Sequence, residues 1–158
     1  EDTLLQIIKE MDEVMEREFV KTFKVIRENF KETFRELFKG GNADLKLTDP
    51  NNILETGIEI VASPPGKSLK SISLLSGGEK TFTAISLLFA ILKSRPVPFC
   101  ILDEVEAALD EANVDAFGEY LDKYRDKTQF IIMYKKTLTL CQGCQYFISF
   151  LSIQTQWK

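Results

Sequence analysis

An α/β fold is predicted by three features of this sequence. A long amphipathic run opens the chain, two short alternating segments follow it, and two apolar runs flank a helical stretch near the end. Together they predict a long entering helix, a β-hairpin, and a partial parallel sheet flanked by helices. The 158 residues suffice for one core of ordinary size. With 44% hydrophobic and 28% charged residues the composition is that of a soluble globular protein. A net charge of −4 argues against a wholesale nucleic-acid-binding surface and leaves room for a local basic patch. No apolar run reaches the roughly 18 residues of a membrane span or forms a signal peptide. The chain begins without Met, inside a charged helical pattern, and reads as a piece of something longer.

Asp2 to Lys39 reads as one helix. Its apolar stripe runs Leu4, Ile8, Met11, Met15, Phe19, Phe23, Ile26, Phe30, Phe34 and Leu37. The mean step is about 3.7 residues, closer to a straight helix on a core than to a strict heptad seam. The other face mixes Glu with Lys and Arg, as a solvated face does. At roughly 55 Å the helix overhangs a small domain, so its early part would be the root of a coiled coil. Gly40-Gly41 ends it.

Ala43 to Thr48 and Gly57 to Ala62 alternate polar and apolar residues, and Asp49-Pro50-Asn51-Asn52 between them carries turn chemistry. A hairpin is expected, with Ile58 and Ile60 on one face. Ser63-Pro64-Pro65-Gly66-Lys67-Ser68 then breaks the pattern. Its Gly-Lys-Ser ending is that of a phosphate-binding P-loop, but Val61 stands where the first glycine belongs. Two prolines also remove amide donors. A rigid connector is expected instead.

Ser76-Gly77-Gly78-Glu79 is a capping box that opens the next helix. Ala84 to Lys93 is apolar on several sides, and Pro96 stops the helix. Val97 to Leu102 is almost continuously apolar, which predicts a central parallel strand covered on both faces. Asp110 to Tyr124 is helical, and Gln129 to Met133 is a second buried strand. Strand, helix, strand implies a right-handed parallel unit.

Two places carry chemistry. The free amides and dipole at the Ser76 helix start favour an anion, and Gly77 and Gly78 let a phosphate approach the backbone. Read alone, the same residues make an ordinary serine N-cap. Asp103 and Glu104 follow the apolar strand at its C-terminal end, the edge where open α/β sheets bind ligands. Asp103 suits magnesium, directly or through water, and Glu104 suits the orientation and deprotonation of an attacking water. The plain alternative is a strand end that caps the next helix. A phosphate held by both places would be sandwiched between two copies.

Three cysteines do not make a disulfide framework. Cys100 lies in an apolar run and reads as a small buried residue. Cys141-Gln-Gly-Cys144 has zinc-knuckle spacing, but no second cysteine pair exists and the chain has no histidine.

At these residues the sequence resembles a known family. Leu75-Ser76-Gly77-Gly78-Glu79 looks like the signature motif of ABC-type ATPases. Phe99-Cys100-Ile101-Leu102-Asp103-Glu104 looks like their Walker B, and Ala107-Ala108-Leu109-Asp110 like the D-loop. Pro96-Val97-Pro98-Phe99, Asp103 to Asp110, and Gly57 to Lys67 resemble the bacterial SMC (structural maintenance of chromosomes) chromosome-partition branch. The likeness is to the C-terminal half, or lobe, of the head domain, and it covers roughly Phe23 to Ile132.

The resemblance implies a division of the chain. Residues 1–39 would enter from a coiled coil, 40–134 would form the C-terminal lobe of an ABC-type P-loop ATPase head, and 135–158 would be an atypical tail. It also implies roles. Glu104 would serve the hydrolytic water, Asp103 the magnesium, and Ser76 and Gly78 the γ-phosphate of ATP held by the opposite head, with Gly77 and Asp110 also among the ATP-binding residues. Asp110 would lie across the head–head interface. Implied partners are the N-terminal head lobe of the same protein, a second SMC head, a kleisin subunit and DNA, with no membrane. The implied setting is the cytoplasm, at the nucleoid.

The family's pattern departs after Ile132. A Thr-His pair normally follows, and here Met133-Tyr134-Lys135-Lys136 stands instead. Lys135 does not accept a proton at neutral pH as an imidazole does. The Tyr146 to Leu151 run is strand-like. Other readings therefore stay open: a head lobe of another ABC-type DNA-repair ATPase, or a truncated, non-catalytic interaction module. This chain alone, without a Walker A loop, is expected to hydrolyse ATP poorly or not at all.

Overall fold

A computed structural model describes residues 2–103, 105, 109–133 and 149–150. Helix α1 spans Asp2–Leu37. Its apolar stripe is buried only towards the C-terminal end: Phe30, Phe34 and Leu37 are inside, whereas Leu4, Ile8, Met11 and Met15 are exposed. The first turns therefore extend past the core. The helix stops in a Schellman arrangement: Gly40 N donates to Arg35 O at 2.9 Å and Lys39 N to Glu36 O at 3.3 Å. The residue just past the last helical turn is Lys39, with φ of 53°, and Gly40 and Gly41 follow it with φ of 145° and 75°. Gly41 has a further reason besides its φ. A Cβ there would sit 2.3 Å from the carbonyl oxygen of Ser63, so only glycine lets the connector pass.

Strands β1 (Asn42–Leu47) and β2 (Ile58–Ser63) pair antiparallel, with Leu45 opposite Ile60. A short strand β3 (Lys70–Ser71) adds to β2 and completes a three-stranded sheet. Two residues are too few for a periodic signal, so β3 is absent from the sequence expectation. Ile58 and Ile60 do share a face, but Ile58 is exposed and the buried residues of β2 are Val61 and Ala62. A 3₁₀ turn (Ile72–Leu74) leads to α2 (Gly77–Ser94).

Strand β4 (Phe99–Asp103), helix α3 (Glu111–Tyr124) and strand β5 (Gln129–Met133) follow, with β4 and β5 parallel. Strand β6 (Ser149–Phe150) pairs antiparallel with β5 and lies in the strand-like run of the tail; the rest of that run is outside the described residues. The expectation that β4 is covered on both faces is corrected. Leu102 is buried, whereas Phe99 and Ile101 are 57% and 54% exposed. A continuous apolar run identifies a strand with two apolar faces, but among the described residues only one of them has a layer of helices against it.

Two apolar clusters make the core. One joins Phe30 and Phe34 of α1 to Ala43, Leu45, Ala62 and Ala90. The other joins Phe82, Ile85 and Phe89 of α2 to Leu102, Phe117, Tyr120, Phe130 and Ile132. Phe38 packs against both, its ring 4.1 Å from that of Phe34 and 4.8 Å from that of Phe82. Helix α1 thus lies between the first sheet and α2, and α2 carries it onto the second sheet.

Polar contacts fix the seating of α1. Arg27 forks onto both oxygens of Asp44 at 2.5 and 2.6 Å, the planar match of guanidinium to carboxylate. This hydrogen bonding holds the Asp44 carboxyl below its ordinary range. In the interior, the Thr33 hydroxyl and the Tyr120 phenol are 3.3 Å apart, which joins α1 to α3. The Lys93–Glu32 and Lys123–Glu36 pairs are solvent-facing and each contributes little.

Candidate functional site

Helix α2 begins as its sequence indicates. Ser76 is the N-cap with extended backbone, and the capping box with Glu79 is complete. Glu79 Oε2 accepts from Ser76 N at 3.0 Å and from Ser76 Oγ at 2.9 Å, while Ser76 Oγ accepts more weakly from Glu79 N at 3.4 Å. The next residue, Gly77, is not required by backbone strain, because its φ is not in the left-handed region. A Cβ there would meet nothing within 4 Å. The missing side chain leaves the first turn open, so no side chain at Gly77 bars an anion from the amides.

Glu79 has a second partner that local pattern does not reveal. Lys67 Nζ lies 2.6 Å from Glu79 Oε1. Lys67, with the backbone N–H of Ser76 next in weight, holds the Glu79 carboxyl down at about 2 from its ordinary 4.5. A carboxylate whose folded value is depressed stabilises the fold above its unfolded value, and that stability is lost as pH falls through the folded one. Stability is therefore expected to decline as pH drops from about 4.5 towards about 2, with Glu79→Gln flattening that part of the profile. Urea midpoints over a pH series check this; an unchanged acid limb in the variant would refute it.

The connector behaves as a rigid turn and not as a P-loop. Lys67 N donates to Pro64 O at 3.0 Å, and Gly66 has φ of 77°, the pattern of a type II turn with proline second and glycine third. Ser63 Oγ donates to the Lys67 carbonyl at 2.5 Å and closes the loop on itself.

Asp103 ends β4 beside Met133 of β5 and is exposed. Among the described residues it makes no ion pair, so its oxygens are available to a hard cation. No group of three or more metal-ligating side chains occurs among the described residues. One carboxylate at a strand end fits magnesium that keeps most of its waters and is shared with phosphates. Glu104, Ala107 and Ala108 lie outside the described residues, as do Lys135, Cys141 and Cys144. Asp110 is described, and its Oδ1 accepts from Asn113 N at 2.9 Å as the N-cap of α3. Ser76 and Asp103 belong to elements that share one core, since Phe82 and Leu102 pack in the same cluster. No hydrogen bond joins Ser76 to Asp103 or Asp110 among the described residues.

Cys100 is half-buried against the second cluster, and burial pushes its thiol up, away from the reactive thiolate. No helix among the described residues is long and apolar enough to cross a membrane.

The chain matches the family model described as "RecF/RecN/SMC N terminal domain" over residues 7–154. This is longer than the Phe23 to Ile132 span that carries the sequence resemblance. It is 61% identical over 132 residues to the chromosome partition protein Smc of Bacillus subtilis (strain 168), covering 84% of this chain and 11% of that protein. A solved chain from work on ATP-driven dimerisation and DNA-stimulated activation of SMC ATPases superposes with a TM-score of 0.71 at 39% identity, covering 77% of this chain and 74% of that one. The Smc head domain with an extended coiled coil from Pyrococcus furiosus, bound to the C-terminal domain of ScpA, superposes at 0.75 and 38% identity, covering 85% of this chain and 34% of that one. The chain thus spans about a tenth of the length of its full-length relative. The order of motifs leads one to expect the C-terminal half of a head, whereas the matched family model is described as an N-terminal domain. The comparisons carry the family and the likeness to SMC heads, and not that half.

Proposed function

The chain belongs to the RecF/RecN/SMC family, and from that premise we propose that it is the signature-bearing lobe of an SMC-type ATPase head. In the whole protein this head would bind ATP between two engaged heads and hydrolyse it, driving chromosome partition and condensation. The observation that carries the reading is the start of α2: a capped serine whose first turn is open above Gly77. Such a terminus offers amides and a hydroxyl to a phosphate but has no lysine-bearing loop to cradle the rest of a nucleotide. A complementary lobe must supply that loop.

On this reading Ser76, Gly77 and Gly78 receive the γ-phosphate of ATP held by the opposing head. Asp103 holds magnesium, which when bound offsets charge on the phosphates. Glu104 orients the attacking water and takes its proton. Asp110 caps α3 with one oxygen and faces the second head with the remainder of its carboxylate. The partners are the lobe that carries Walker A, a second head, a kleisin and DNA. The kleisin assignment draws on the ScpA-bound heads among the solved relatives. The cytoplasm, at the nucleoid, is the corresponding location.

The test is co-expression of this chain with the Walker A lobe, followed by sedimentation with ATP and with ADP. Dimers that form with ATP and not with ADP are expected. Association indifferent to nucleotide would sink the reading and point to an interaction module, which the absence of any histidine favours.

A further inference from the structure

Ser76 does not hold its proton freely. Its hydroxyl donates to Glu79 Oε2 at 2.9 Å, and its own N–H is bound by the same oxygen at 3.0 Å. A phosphate arriving at the start of α2 would have to win that hydroxyl proton from a carboxylate. It would also approach a negative charge, which opposes what the helix dipole and open amides favour. An unassisted Glu79 would hinder the site that it helps to cap.

The other oxygen of Glu79 is taken by Lys67 at 2.6 Å. Lys67 is presented by a turn that three features hold: the Lys67 N to Pro64 O bond, the left-handed Gly66, and the Ser63 Oγ bond to the Lys67 carbonyl. The ammonium reaches across twelve residues of chain to this one carboxylate. Its pull makes Glu79 a weaker base, with a carboxyl held at about 2. A weaker base gives up a shared proton more readily to a competing acceptor.

We propose that Lys67 is a positioning residue for phosphate engagement: it clamps Glu79 through Oε1 and offsets its charge, so that Ser76 turns its hydroxyl from Glu79 Oε2 to an incoming phosphate. Lys67 acts through Glu79 and does not itself touch the nucleotide. The inference rests on the signature role proposed above for Ser76.

The experiment uses the chain co-expressed with the Walker A lobe and titrates ATP while dimerisation is followed. Lys67→Ala and Lys67→Gln are expected to raise the ATP needed for half-maximal dimerisation about tenfold, in the range of one lost charge-assisted hydrogen bond. Lys67→Arg keeps a cation on the turn and is expected to stay near the unsubstituted protein. The decisive variant is Lys67→Ala combined with Glu79→Gln. With the carboxylate charge gone, loss of the lysine adds no further defect over Glu79→Gln alone. A purely structural ion pair would be non-additive as well, but its loss would leave the ATP requirement of the folded protein unchanged, so circular dichroism is used to confirm that each variant is folded across the titration. Unaltered dimerisation in Lys67→Ala, or additivity in the double variant, overturns the inference while leaving the role of Ser76 standing. If the unsubstituted pair does not dimerise with ATP, the signature role fails and the inference fails with it.

Discussion

Ser76→Arg is expected to abolish the proposed ATP-dependent association of two heads, with a loss of about a hundredfold or more in apparent dimer affinity, equivalent to roughly 3 kcal/mol. Three consequences of the substitution act together. The hydroxyl that would meet the phosphate disappears. The capping box with Glu79 is broken, since arginine has no acceptor for the Glu79 N–H. A long side chain at the helix start also occupies the open space over Gly77, where a phosphate would come closest to the backbone. The loss of the cap itself costs only about 1 kcal/mol, so the domain stays folded and the defect is one of engagement. Ser76→Ala separates the two effects: it removes the cap and the hydroxyl but fills no space, and a smaller loss is expected. Sedimentation at saturating ATP, with circular dichroism as the check on folding, measures both. Full dimerisation of Ser76→Arg would remove α2 from the nucleotide interface.

Phe34→Ala is expected to destabilise the fold by about 3–5 kcal/mol, the range for truncating a fully buried aromatic. Phe34 is completely buried, stacked on Phe38 at 4.1 Å and edge-on to Phe30 at 6.1 Å. Its ring also stands close to Gly41, where the chain leaves α1 for the first sheet. The surrounding residues come from α1, β1, β2 and α2, so the cavity could not close without moving several elements at once. The urea midpoint should fall with little change in slope. Leu4→Ala, on the same stripe but 66% exposed, is expected to change stability by no more than about 0.5 kcal/mol. Equal effects at the two positions would mean that the early turns of α1 are packed as firmly as the late ones.

The contrast between Leu4 and Phe34 also shows where pattern stops being informative. Both lie on one stripe of about 3.7-residue spacing, and periodicity assigns them the same face. Whether that face meets anything depends on where the sheet and α2 begin, which is a property of distant segments. The same holds for β4. Six apolar residues in a row announce a strand, and a run without alternation announces two apolar faces. The run carries no information on how many of those faces this chain covers itself, and Phe99 and Ile101 are left exposed. Strand β3 escapes for a simpler reason, since two residues have no period.

The functional residues divide along a similar line. Ser76, Glu79 and Asp110 are legible because capping is local: the partner atoms are three residues apart, and the residue types alone specify the bonds. Asp103 is legible because an acid directly after an apolar strand lies at the edge where parallel sheets bind ligands. Lys67 is not legible as a partner of Glu79. A Gly-Lys-Ser ending invites comparison with a phosphate loop, and nothing in its spacing points towards an acid in the following helix.

Helix, hairpin, capped helix start and strand-end acid were thus determined by local chemistry, through periodicity, turn residues and hydrogen bonds that close within a few residues. Tertiary packing alone decided which half of the α1 stripe is buried, which face of β4 stays open, and which cation neutralises the acid beside Ser76. Those outcomes depend on segments that meet only after the chain has folded. The energies that set them, apolar burial and charge pairing across loops, act between neighbours in space that are distant in sequence.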